Sequence, residues 1–322
     1  MTLESGFAGA GQATRRRPRA FVVLNPKSGS SAGGDVRKTL AAHLPDVEFE
    51  VHEIAKGDDL AAIVRSAIGR GCDPVVAAGG DGTVSTVADA LVGTSVHLIV
   101  LPMGTANVLA RELEIPIDLE GACALAGARL TDGPHRIARL DAMKVGDRHY
   151  FTQVGVGIDA LMIRDTDDKQ KRRFGRLAYL WTAATRLLGF KPRRFTIGVD
   201  SRTIEVRATQ VVVANTGMMG QPPFRWGPDI SAEDGRLNIC IARARNLIDY
   251  LGLLRHVVLA SHKDSPNVRY EVAGRSIAIA TRRPLPVQAD GEIVGETPVR
   301  IEVIPAAIRV VVPPKSPEAS EK

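Results

Sequence analysis

The sequence predicts an open α/β domain followed by an antiparallel, β-rich sandwich domain. Up to about Pro116, short apolar runs alternate with stretches of helical spacing, as expected for strands buried on both faces beneath covering helices. Beyond about Arg136 the runs become short, β-rich and separated by turns. The length, 322 residues, suits two domains better than one.

Residues 1–18 are rich in Gly, Ala and Arg without either periodicity, and residues 313–322 (PPKSPEASEK) are likewise unpatterned; both are read as flexible tails. Residues 19–136 form the first domain. Runs 20–24 (AFVVL), 74–78 (PVVAA) and 97–101 (HLIVL) have strand length, and Val47, Phe49 and Val51 alternate with acidic residues to give a half-exposed strand, four in all. Leu60, Ile63, Val64, Ala67 and Ile68 fall at helical spacing behind Asp58 and Asp59, which suit a helix start; Val84, Val87, Ala88 and Leu91 repeat the spacing. Residues 137–304 form the second domain, with strands at 195–199, 210–214, 237–242 and 276–280 and a clean alternation of Val299, Ile301 and Val303 with Arg300 and Glu302. One long helical stretch interrupts it. Residues 305–312 are a final strand.

Composition narrows the classes. Cys72, Cys123 and Cys240 are odd in number and widely spread without CxxC pairing, which argues against a disulfide framework or a structural zinc and for a reducing, cytoplasmic setting. No secretion signal and no run of about 18 uncharged apolar residues is present. A net charge of +6 and pI near 9.4 call for an anionic partner, while 4% aromatic residues speak against single-stranded nucleic acid.

Ligands of open α/β sheets gather at the carboxyl ends of the strands, so the loops after Leu24, Ala78 and Leu101 carry the chemistry. The first, residues 25–34 (NPKSGSSAGG), offers backbone N–H groups, Ser28 and Ser30 hydroxyls and the Lys27 charge to a phosphate, or is an ordinary βα loop; it lacks Walker A spacing. The second, Gly79-Gly80-Asp81-Gly82-Thr83, places three glycines where a chain approaches something bulky and negative, ahead of a helix N-terminus. A carboxylate there acts through Mg²⁺ or takes a proton, unless Asp81 merely caps the helix. In the third, residues 102–107 (PMGTAN), Thr105 and Asn107 either hydrogen-bond phosphate or ribose or cap a helix. On its residues alone, Ala289-Asp290-Gly291-Glu292 is a hairpin turn.

Taken in order, NPKSG at 25–29, GGDGT at 79–83, LPMGTANVLARELEIP at 101–116, GVGIDA at 155–160, EDGRL at 233–237 and ADGE at 289–292 resemble the motif set of bacterial diacylglycerol kinase-like lipid kinases, which share a catalytic fold with sphingosine and ceramide kinases. The resemblance implies an ATP-binding first domain, a lipid-binding β-rich second domain and a final strand returning to the first. It implies nucleotide contacts from Asn25, Pro26, Ser28, Gly29, Gly79, Gly80, Asp81, Gly82, Thr83 and Thr105. It makes Asp81 a holder of Mg²⁺ or of the acceptor, Glu292 the general base, and Ser231, Asp234 and the carbonyl of Arg236 a separate structural Mg²⁺ site. Two positions depart from the pattern: Val108 stands where many diacylglycerol kinases carry an acid, and Ser30 where some relatives carry lysine.

Residues 164–194 hold ten Lys or Arg against three Asp, interleaved with Phe174, Leu177, Leu180, Trp181, Leu187, Leu188 and Phe190. That pattern docks a helix on an anionic membrane, or packs it on the β domain with a solvated basic face. The expected partners are a lipid substrate in the inner membrane, met peripherally, and a second copy of the chain. NAD kinase, which shares GGDGT, and a non-catalytic nucleotide- or lipid-binding regulator are the alternatives.

Overall fold

The computed structural model describes residues 19–28, 33–45, 47–131, 133–165, 191–220, 224–227, 229–244, 249, 252, 265 and 267–315. Its first part contains β1 (Arg19–Leu24), α1 (Gly33–His43), β2 (Glu48–Glu53), α2 (Leu60–Gly69), β3 (Val75–Gly79), α3 (Asp81–Leu91), β4 (His97–Pro102), α4 (Val108–Glu112) and α5 (Leu119–Leu130). The second contains β5 (Arg136–Val145), β6 (Arg148–Tyr150), β7 (Gln153–Gly157), α6 (Ile158–Asp165), β8 (Arg193–Val199), β9 (Arg202–Ala208), β10 (Gln210–Ala214) and β11 (Leu237–Ala242). It ends with β12 (Val268–Ala273), β13 (Ser276–Thr281), β14 (Pro286–Ala289), β15 (Glu292–Glu296) and β16 (Val299–Val312).

The apolar runs become β1, β3 and β4, buried almost along their whole length, and the alternating run becomes β2 at the sheet's edge. Of the two expected caps, Asp59 takes the role, accepting from Ala62 N at 2.9 Å, while Asp58 accepts from Ala55 N and bonds His52. Strands β2-β1-β3-β4 are parallel, with Leu24 beside Ala78 and Ala78 beside Leu101, so the three chemically loaded loops leave the sheet at one edge. Their core continues into helices α1, α2, α3 and α5 through Leu40, Val64, Leu91 and Ala126.

The second part is β-rich, in two layers. One is a six-stranded sheet, β12-β11-β10-β7-β14-β15. The other is continuous with the first part: order β2-β1-β3-β4-β16-β13-β8-β9, with β5 on β16 and β6 on β5. A separate core, including Phe195, Ile197, Val213, Ile239 and Ile279, fills the space between the layers.

The 14-residue β16 joins the halves. Its early residues pair antiparallel with β13, while Arg309 and Val310 pair parallel with β4. Between them the register against β5 shifts, and Ala306 takes φ +48°. The side chain that fixes this kink is buried Asp141 on β5, which accepts from Ala306 N at 2.8 Å and from Gly235 N at 2.6 Å. The long basic stretch begins in α6, but residues 166–190, with Arg172, Arg173 and the apolar residues named above, lie outside the described residues, as do residues 1–18 and 316–322.

Asp141→Ala strands two backbone donors and is expected to lower stability by about 1–3 kcal/mol in urea denaturation. Burial raises the Asp141 pKa above 3.8. Its stabilising share is therefore fully present below pH 3.8 and lost as pH rises through the folded value, so the gap between wild type and variant should narrow from acid towards neutral pH.

Candidate active site

The three loops meet by backbone contact. Asn25 Nδ2 donates to Thr83 Oγ1 at 3.1 Å, Asn25 N donates to Ala78 O at 2.9 Å, and Met103 N donates to Gly79 O at 2.9 Å. A Cβ on Gly104 would lie 2.6 Å from Gly80 Cα, and one on Gly79 would lie 2.6 Å from Thr83 Cβ. Gly82 has open space. The glycine cluster thus has a different origin from the one expected for it: none of Gly79, Gly80 and Gly82 lies in the left-handed region, and two of them are glycine because neighbouring chain packs against them.

Asp81 lies in the first turn of α3, yet it caps a different helix. Its carboxylate accepts from Asn107 N at 3.0 Å and Val108 N at 2.6 Å, the start of α4. Helix α3 itself has Gly80 at its N-cap and no side-chain cap, which leaves its first-turn N–H groups for a ligand. Asn107, buried with φ +48°, bonds Gly104 through both ends of its amide, so its side chain shapes the loop rather than reaching for phosphate or ribose. Thr83 is likewise buried behind the loop on Asn25. Pro26 and Thr105 are exposed and Ser28 half-buried at the rim; Gly29 and Ser30 lie outside the described residues.

A cavity of about 230 Å³ opens beside these loops, lined by Asp81, Ser85, Val108, Phe151, Met218 and Asp290 among others. Val108, at the position where an acid was expected, makes part of an apolar wall. Asp290 and Gly291 form the two-residue turn between β14 and β15, with φ +46° and +89°, as the bare sequence suggested. Asp290 does more than turn the chain: one oxygen accepts from Ser85 Oγ and Phe151 N, the other from Thr152 N, Thr152 Oγ1 and Gln153 N, at 2.6–3.1 Å. Through Ser85 it ties the second part of the molecule to α3. Glu292 does not line the cavity; it stands exposed just beyond Gly291, 3.5 Å from Arg148 Nη1.

Three positioning groups were not legible. Asp290 was hidden inside a turn signal. Glu112, buried at the end of α4, accepts from Gly217 N, Met218 N and Arg225 Nη2 at 3.0–3.2 Å and straps the first part to the cavity wall. Asp159 of GVGIDA accepts from Gln288 Nε2 at 2.9 Å, and Gln288 Oε1 accepts from Gly291 N at 3.0 Å, so the motif braces the same turn; burial raises the Asp159 pKa.

Each Asp81 oxygen accepts one bond, and a carboxylate offers about four lone-pair sites, so a divalent cation fits on its free side. The five bonds on Asp290 leave no such room. At the second expected site, Ser231 Oγ accepts from Glu233 N and Asp234 Oδ1 accepts from Arg236 N, closing a turn that Asp141 holds at Gly235. No cluster of three or more His, Cys, Asp or Glu shaped for a metal occurs among the described residues.

Residues 19–133 match the family model described as the diacylglycerol kinase catalytic domain, and residues 152–312 match the YegS C-terminal NAD kinase beta sandwich-like domain. The chain belongs to the diacylglycerol kinase family. A diacylglycerol kinase of Mycobacterium tuberculosis (strain ATCC 25618 / H37Rv) is 26% identical over 309 residues, covering 94% of this chain and 98% of that one. A Klebsiella pneumoniae (strain 342) protein named "Probable lipid kinase YegS-like" is 28% identical over 306 residues, covering 93% and 98%. The solved structure of a diacylglycerol kinase from Bacillus anthracis str. Sterne shares the fold, with TM-score 0.71 at 20% identity over 94% of this chain and 98% of that one. This family member is a phosphotransferase. No helix among the described residues is long and apolar enough to cross a membrane.

The glycines separate packing from ligand approach. Gly104→Ala is expected to cost about 1–3 kcal/mol and to lower Tm, whereas Gly82→Ala, in a helix and facing open space, should raise stability by about 0.5–1 kcal/mol; thermal unfolding measures both.

Proposed function

We propose that the protein transfers the γ-phosphoryl group of ATP to the hydroxyl of a lipid, diacylglycerol or a ceramide or sphingoid base, met at an anionic membrane surface. One observation carries the reading: the uncapped N-terminus of α3 and an apolar-walled cavity share Asp81 as their common boundary.

The phosphates lie against the first-turn N–H groups of α3 and the open flank of Gly82, with Ser28 and Thr105 at the rim. Asp81, whose oxygens each accept one hydrogen bond, would hold Mg²⁺, and the ion would offset phosphate charge. The acceptor hydroxyl enters the cavity past Val108, Leu109, Phe151 and Met218, whose apolar surfaces suit a lipid backbone and exclude water. Of the carboxylates near it, Asp290 is saturated with hydrogen bonds and Asp81 holds α4, which leaves Glu292 with unengaged lone pairs. Turning from Arg148, Glu292 takes the hydroxyl proton while Asp290, held through Ser85, fixes the hairpin that carries it.

Purified protein incubated with labelled ATP, Mg²⁺ and a panel of diacylglycerol, ceramide, sphingosine and NAD should label a lipid; label on NAD alone, or on nothing despite ATP binding, overturns the proposal. Glu292→Gln should lower kcat roughly 10²–10⁴-fold with Tm unchanged. Gly82→Ala should weaken ATP binding while leaving the protein at least as stable, and a variant that binds ATP normally removes the phosphate from that helix end.

A further inference from the structure

A second concave feature, a groove of about 670 Å³, lies away from Asp81 and Asp290. Its lining includes Arg193, Arg194, Arg207, Arg282, Arg283 and Leu285, and no acidic residue. Topology brings the arginines together. Arg194, the second residue of β8, pairs directly with Arg207 near the end of β9, while Thr281, the last residue of β13, pairs with Phe195, so Arg282 and Arg283 leave the sheet at the same end.

Like charges set opposite each other on neighbouring strands are unfavourable, and no ion pair among the described residues relieves this pair. Arg194, Arg207, Arg282 and Arg283 form no ion pair among the described residues. Glu205, two residues before Arg207 on the same outward face, forms none either. Several arginines elsewhere are paired: Arg37 with Glu53, Arg70 with Glu50, Arg136 with Glu233, and Arg202, at the far end of the same hairpin, with Glu271. Four guanidinium groups with no ion pair among the described residues therefore meet at one groove. Guanidinium groups so gathered match phosphate oxygens, which they bind in a fork.

We propose that this groove docks the protein on the anionic phospholipid headgroups of a membrane, an inference that rests on the lipid-kinase reading. The lining holds no aromatic side chain on which a nucleic-acid base would stack, and its apolar members, Pro192, Pro284 and Leu285, sit beside the charges as an interfacial surface requires. Its position suits the reaction. Strand β14 starts immediately after Leu285 and ends at the Asp290 turn, so groove and catalytic cleft lie at the two ends of one four-residue strand, about 13 Å long at ~3.3 Å per residue. A headgroup layer at the groove thus keeps substrate-bearing lipid within reach of the cleft.

The test uses the full chain and vesicles of phosphatidylcholine, alone or with phosphatidylglycerol, in cosedimentation. Wild type should favour the anionic vesicles. Arg207→Gln combined with Arg283→Gln should weaken that binding roughly 30-fold, since each basic residue at a membrane surface contributes about 5-fold. Lys38→Gln combined with Arg65→Gln, the same change of net charge on α1 and α2, should alter it less than twofold. Equal binding to both vesicle types, equal losses in the two double variants, or tighter binding to single-stranded DNA than to vesicles overturns the docking site. Turnover of a water-soluble short-chain diacylglycerol should be unchanged in the groove variant, and a fall there also overturns it. Absence of turnover of diacylglycerol, ceramide and sphingosine alike in wild type would sink the lipid-kinase reading instead, so the two failures are distinguishable.

Discussion

The cleft depends on a contact that contains no side chain: Gly80 against Gly104. Because these backbones touch, the end of β3 and the end of β4 place their loops side by side, and the Asp81 carboxylate reaches the first N–H groups of α4. Two helix starts are thereby set at one spot, one capped by a carboxylate and one left open. An open helix start favours negative charge, whereas a carboxylate repels it unless a cation intervenes. On the proposed reading, the arrangement would therefore favour a metal-bound polyphosphate over a bare anion.

A second constraint makes the two parts of the molecule act as one. Strand β16 belongs to both, and its kink is held by Asp141, which also grips Gly235. Asp290 binds Ser85 of α3 from one side and three consecutive residues of the second part from the other. Glu112 reaches across in the opposite direction to Gly217 and Met218. Each bridge is a carboxylate accepting backbone N–H groups, joined at Asp290 by the Ser85 hydroxyl, and such charged hydrogen bonds fix geometry as well as add stability. Opening the cleft by a hinge between the parts would require breaking several of these together, so substrate exchange is better served by local movement at its rim.

Much of this was legible, for definable reasons. Buried parallel strands produce uninterrupted apolar runs, and β1, β3 and β4 were read from theirs within one residue at each end. The loops after them could be ranked because strand ends in open sheets are where ligands bind. What failed was the assignment of individual jobs. Glycine types reveal that a chain is crowded but not what crowds it, so Gly79 and Gly80 were credited to a ligand when Thr83 and Gly104 account for them. Asp290 was invisible because Asp-Gly in a hairpin satisfies the local pattern completely, and its five donors come from residues 85 and 151–153, distant in sequence. Fusion of the two parts into one sheet was equally hidden, since pairing of β16 with β4 joins residues more than 200 positions apart.

The carboxylates also divide by how many hydrogen bonds they already accept, and that division assigns their roles better than proximity does. A proton acceptor needs an available lone pair and a pKa that is not driven down by donors aimed at its charge. Asp290 lines the cavity but has no lone pair to spare; its five bonds make it a fixed element. Asp81 keeps part of its capacity and borders both the helix start and the cavity, which suits it to share a cation with phosphate. Glu292 keeps most of its capacity, held only by one ion pair to exposed Arg148, a kind of contact that contributes little and breaks readily. On the proposed reading, the left-handed Asp290-Gly291 turn lets one carboxylate point inward to the frame while the next, Glu292, stands exposed just beyond it.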